Sequence, residues 1–210
     1  MSRGLSRLSG GVVATGVMFG VASLLAAGTA SAATVAYATG PAAVSYSCNF
    51  PTIGQRQLDV TASFNAPDSV PAGTAITPTD VAGTATISAS IHALLNAASY
   101  DGVRGKANVP VNVTNATPAT GTASNVNVPE QIYPYVAGPL TFTIAQDSGT
   151  TVPTFSGVAA GPATASLGST ITAPLEFHKK NGTWTAWNFT CTLLTSPAQN
   201  TAFSPSITIT

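Results

Sequence analysis

Charge is what this 210-residue sequence has least of. Only 7% of it is Asp, Glu, Lys or Arg, where an ordinary soluble domain carries roughly 25%. Lys+Arg 7 and Asp+Glu 7 cancel to a formal net charge of zero, which removes the basic footprint that nucleic-acid binding requires. With Cys 2 and His 2 in the whole chain, no cluster of thiols and imidazoles stands at metal-ligand spacing. Calcium-loop spacing is absent as well, and no cofactor motif is present. Beyond the first thirty or so residues no apolar run is long enough to span a bilayer. Low charge does not mean disorder here. The chain is 44% hydrophobic, and disordered segments are poor in apolar residues.

The opening segment is a targeting sequence rather than part of a fold. Arg3 and Arg7 supply a positive start, Val12 to Ala27 is apolar and uncharged, and Ala30-Ser31-Ala32 offers small residues for cleavage. This is the pattern of a secretory signal peptide over residues 1–32, with residues 33–210 forming one exported domain. The mature chain keeps five basic and seven acidic residues, a formal −2. An extracellular or cell-wall-associated location follows from this reading, with no membrane span left after cleavage. Cys48 and Cys191 then lie near the two ends of the mature chain, and an even pair in an oxidising compartment is most simply a disulfide.

Between those cysteines the sequence alternates. Val44, Tyr46, Cys48 and Phe50 share one parity, as do Leu58, Val60, Ala62 and Phe64. Val103, Ala107, Val109, Val111 and Val113 form another set. Leu140, Phe142 and Ile144 form a further one, followed by Ile171, Ala173, Leu175 and Phe177, and then Trp187, Phe189, Cys191 and Leu193. Period-2 patterning filled with Thr and β-branched residues predicts strands. Asn181-Gly182 between two such runs predicts a hairpin with a two-residue type I′ turn. Ser88 to Ala98 departs from the pattern: Ile91, Leu94, Leu95 and Ala98 have helical spacing, although a strand continuing from Ile87 is the alternative. The fold class expected is all-β, an antiparallel immunoglobulin-like sandwich with one short helix near 88–98. A jelly roll or small barrel is the competing arrangement.

An ordered set of short strings carries a resemblance. Tyr46-Ser47-Cys48, Phe50-Pro51-Thr52-Ile53-Gly54 and Leu58-Asp59-Val60 open it. Pro67 to Gly73, Val103 to Ala107, Cys191 and Pro197 to Asn200 follow in order. Together they resemble DUF6801, a functionally uncharacterised domain family of secreted actinobacterial proteins. The resemblance implies an exported all-β domain with paired terminal cysteines, and it brings no catalytic residue.

Chemistry-bearing residues are few. His92 and His178 have no nucleophile elbow beside them, and Glu130 and Glu176 show no spacing that would pair them as glycosidase carboxylates. The expectation is a non-enzyme without catalytic, metal or cofactor site: a secreted or cell-surface structural or interaction module whose partner is an envelope protein or glycan. The alternative is a carbohydrate- or cell-wall-binding module, for which Trp184, Tyr133 and Tyr135 are the candidate ligand-facing aromatics. Strand parity further places Trp187 inward and Trp184 outward.

Overall fold

The computed structural model describes residues 32–210, so the signal-peptide reading lies outside the described residues. Most of the described residues lie in strands. The first half contains β1 (Thr34–Thr39), β2 (Val44–Phe50), β3 (Gly54–Pro67), β4 (Ser69–Val70), β5 (Ala75–Ile76) and β6 (Thr79–Ile87). Then come α1 (Ala89–Ala97), β7 (Tyr100–Val113), β8 (Ala116–Thr117) and β9 (Thr120–Ile132). The second half adds β10 (Leu140–Ala145), β11 (Phe155–Gly157), β12 (Gly161–Ala163), β13 (Ala165–Leu167), β14 (Thr170–Lys179), β15 (Trp184–Leu193), β16 (Phe203–Ser204) and β17 (Ile207–Ile209).

These strands close into an eight-stranded antiparallel barrel, in the order β3, β2, β15, β14, β7, β9, β10, β6 and back to β3. The all-β expectation holds. The immunoglobulin-like sandwich is corrected: β3 is long enough to pair β2 on one edge and β6 on the other, which leaves the sheet no place to split into two. Alternation marks which residues face inward in either architecture, so it could not choose between them.

The barrel has two tiers. β2 occupies one edge of β3 from Gly54 to Val60, and β1 takes over the same edge from Ser63 to Pro67. On β7 the same succession occurs, with β14 reaching Asn108 and β13 continuing at Val111 to Val113. β16 joins β1, and a bridge between Ser166 and Ala202 ties in β13. Two three-stranded sheets, β5-β11-β8 and β12-β17-β4, complete this lower end. At the upper end stands α1. Ser88 caps it by accepting from the Ile91 N–H, and Ile91 and Leu95 are buried. The helical spacing is therefore right, and Ser88 explains why the strand of β6 stops: a side-chain oxygen satisfies the first free N–H of a helix.

Cys48 and Cys191 are directly opposed on β2 and β15 and form a disulfide, with Cα atoms 4.0 Å apart. The hairpin after β14 is present, but its loop differs from the expected one. Lys179 N–H donates to the Thr183 carbonyl at 2.8 Å, and only Gly182 has positive φ, at 85°. This is a three-residue connection with one left-handed position. Thr183 N–H and hydroxyl both bond to Asn181 Oδ1, which holds Asn181 out of the conformation a type I′ turn demands.

Candidate functional site

The inward-facing side chains of the barrel are apolar from end to end. In the upper tier Phe50, Leu58, Val103, Leu175, Phe177 and Phe189 surround a cavity of about 80 Å³. In the lower tier Phe64, Ile76, Ala123, Phe155, Leu167 and Phe203 surround one of about 90 Å³. Val60, Val109 and Ile144 line both cavities, so the two are adjacent along the barrel. Small residues make the room. Gly83 stands directly between Ala62 and Ile144, and Ala85, Ala107 and Ala173 line the upper cavity. Gly105, at φ 144°, sits at a bulge where a Cβ would meet the Pro174 carbonyl at 2.5 Å. The close approach of β14 to β7 at this corner therefore depends on glycine.

One stretch of the wall is not closed by a backbone ladder. β10 is paired with β6 along its whole length, from Leu140 opposite Ile87 to Ala145 opposite Ala82. On its other edge it meets β9 only at Ala145 opposite Asn127. Above that point the strands separate at Pro129, which has no N–H to donate. The Gln131 side chain spans the gap. Its Nε2 donates to the Thr143 carbonyl at 3.0 Å, and its Oε1 accepts from the Thr143 N–H at 2.8 Å and hydroxyl at 3.0 Å. A carboxamide offers the same donor and acceptor as a peptide unit, so Gln131 stands in for the missing rung. Tyr133 donates its hydroxyl to the same Oε1, and its ring packs edge-on against Phe142. Burial pushes the Tyr133 phenol above its ordinary pKa.

The consequence shows in the exposure of β10. Leu140, Phe142 and Ile144 share the inward face with Ile87 and Ala85, which are buried, yet all three are only partly buried. Just outside the seam the last residue of β9, Ile132, and the β9–β10 connection residues Tyr135 and Val136 are 48%, 41% and 73% exposed. The connection is docked on α1 through His92, whose Nδ1 lies 3.0 Å from the Gly138 carbonyl and whose ring stands edge-on to Tyr135.

The outer wall carries a separate polar cluster across β9, β7, β14 and β15. Arg104 bonds Glu176 at 2.6 Å and Glu130 at 2.9 Å and lies 4.1 Å over the Trp184 ring. Hydrogen bonds to Glu176 and then Glu130 raise the Arg104 pKa. His178 Nδ1 is 2.6 Å from Asp101 Oδ1, and its ring packs against Trp184. Glu130 and Glu176, which the spacing left unconnected, are thus brought to one arginine. Elsewhere Lys106 pairs Asp147, which with the Gly149 N–H and the Thr150 hydroxyl holds that carboxyl below its usual pKa.

Each aromatic singled out in the sequence therefore has its own neighbours: Trp184 with Arg104 and His178, Tyr133 with Phe142, Tyr135 with His92. Arg104 covers one face of the Trp184 indole, and His178 packs against the same side chain. The seam leaves little trace in the sequence: Pro129 and Gln131 are its marks, Gln131 at a position whose neighbour across the ladder, Val103, faces the interior.

A family model described as "Family of unknown function (DUF6801)" matches residues 45–204. The chain belongs to this family. Its matched span covers all eight strands that close the barrel, apart from the first residue of β2. No curated protein matches the chain, and no solved structure does.

Proposed function

We propose that this DUF6801 chain is an exported, non-catalytic binding module of the cell envelope, whose ligand compartment is the barrel interior. The observation that carries the reading is the pair of adjacent apolar cavities sharing Val60, Val109 and Ile144. Eight-stranded barrels are just wide enough either to fill their interior with side chains or to hold one small ligand. An apolar void costs about 24 cal/mol per Å³ when empty, so two cavities of this size cost roughly 4 kcal/mol together. A ligand that fills them offsets that cost. Export is supported by the Cys48–Cys191 bridge, which suits an oxidising compartment, and no described helix is long and apolar enough to cross a membrane.

The test starts from protein recovered from the culture medium of its own host, extracted into organic solvent and analysed by mass spectrometry. The expected result is one apolar compound per chain. Refilling the extracted protein with alcohols of six to ten carbons should then raise the melting temperature. Empty native protein together with no thermal shift for any of these alcohols would contradict the reading.

A further inference from the structure

The structure points to a way in, and with it to a ligand class. We propose that the β9–β10 seam is the entrance to the barrel, that the Gln131 carboxamide is its latch, and that the compartment takes one short unbranched alkyl chain with an uncharged hydrogen-bonding head. This rests on the reading of the interior as a ligand compartment.

The entrance follows from where the wall is weakest. Every other neighbouring pair in the ring is joined by a run of backbone pairs. β9 and β10 are joined by one, and above it by side-chain bonds that a rotation of Gln131 can release without breaking a ladder. Opening there leads inward in a fixed order. Phe142 lines the upper cavity, Ile144 lines both, and the lower cavity lies beyond.

The shape of the ligand follows from the cavities. Two small compartments in line accept a chain laid end to end, whereas a fused ring system or a pair of chains needs one wide chamber. Their sizes, about 80 Å³ and about 90 Å³, together slightly exceed the ~150 Å³ apolar cavity that accepts one benzene. That is room for roughly six to eight carbons. The lining offers no ionisable side chain, so the hydrocarbon end goes in first.

The head follows from the rim. Its polar groups are the Gln131 carboxamide, the Tyr133 hydroxyl and the Thr143 hydroxyl, all uncharged. Arg104 and Lys106 bond their own carboxylates, Glu176, Glu130 and Asp147. A carboxylate or phosphate head would find no cation among the rim groups, while an alcohol, ester or amide finds donors and acceptors. Ile132 at the end of β9 and Val136 on the adjoining connection stand exposed and give the chain apolar surface to meet on leaving water.

The experiment uses 1-octanol as probe on the folded, disulfide-bonded protein, with affinity from calorimetry and exchange rates from ¹⁹F NMR of the chain-end fluorinated alcohol. Gln131→Ala should speed both uptake and release by roughly tenfold, the weight of one or two lost side-chain hydrogen bonds, and change the dissociation constant much less. Thr86→Ala serves as control, since Thr86 bonds Thr141 at 2.9 Å on the laddered side of β10. It should leave the rates unchanged. Octanol binding with the same exchange rates in Gln131→Ala would overturn the entrance and leave the compartment standing. Tighter binding of octanoate than of octanol would overturn the uncharged head. Failure of the unaltered protein to bind octanol at all would remove the compartment itself.

Discussion

Two sides of one barrel are built on opposite principles. Between β14 and β15 the ladder runs unbroken from Thr170 opposite Thr192 to His178 opposite Trp184. β15 is then joined to β2 by the disulfide, and the outer surface is laced by Arg104, Glu176, His178 and Asp101. Between β9 and β10 a single backbone pair and one carboxamide hold the wall. The inward residues follow in part: Phe177, Phe189 and Cys191 are buried and Trp187 and Leu193 partly so, whereas Leu140, Phe142 and Ile144 are all only partly buried. Backbone ladders are cooperative and release only by local unfolding, while a side-chain bridge releases by a rotamer change. A barrel that must admit a guest without unfolding needs one wall of each kind.

The largest effect should come from cutting the closed side. Replacing Cys48 and Cys191 together by alanine removes a cross-link between residues 143 apart in sequence. It should cost about 3–5 kcal/mol, close to the loop-closure value, and lower the melting temperature accordingly. If the double variant melts within a degree or two of the parent, the disulfide is not what holds this wall.

The two tryptophans give the next contrast. Trp187 points inward as its parity requires, but it is only half-buried, and its Nε1 donates to the Asn49 carbonyl at 2.8 Å. Parity places Trp187 inward, and its inward side is only partly covered. Its position near the start of β15, with a polar tip that must reach a partner, accounts for the partial burial. Trp187→Ala should destabilise by about 2–3 kcal/mol, below the 3–5 kcal/mol of a fully buried aromatic. Trp184→Ala loses an exposed-side stack with Arg104 and should cost less than about 1 kcal/mol. Equilibrium urea unfolding ranks them, and the reverse order would invert the face assignment.

Tyr46 sharpens the comparison through pH. It is fully buried behind the disulfide strand, donates its hydroxyl to the Gly168 carbonyl at 2.8 Å, and burial pushes its pKa up to about 12. The unfolded phenol titrates near 10. Because the folded value is the higher one, the stabilisation is complete below pH 10 and is lost as pH rises toward 12, by about 2–3 kcal/mol in all. Tyr46→Phe should flatten that part of the pH–stability curve. An unchanged alkaline slope in the variant would place the titrating group elsewhere.

Much of this was legible in the residues. Inward and outward faces of the long strands follow from alternation, the cysteine pair from its even number and the expected oxidising compartment, and α1 from the spacing of Ile91 and Leu95. Closure was not legible, because it depends on β3 using both edges, and parity carries no information about edges. The seam was hidden for a related reason. Leu140, Phe142 and Ile144 alternate as well as any buried strand, so nothing in β10 alone says that its ladder to β9 stops after one pair. Pro129 and Gln131 acquire meaning only once β9 and β10 are known to be adjacent. The Asn181-Gly182 turn failed at a finer scale, where the Asn181 side chain chose the loop.

Whether an alkyl chain lies inside the barrel is read from nuclear Overhauser contacts between bound 1-octanol and the protein's side chains. Contacts are expected from the hydrocarbon protons to Val60, Val109, Phe142 and Ile144, with the hydroxyl end near Tyr133. Contacts confined to outward residues such as Ile132, Val136 or Trp184, with none to Val60 or Val109, would contradict this placement.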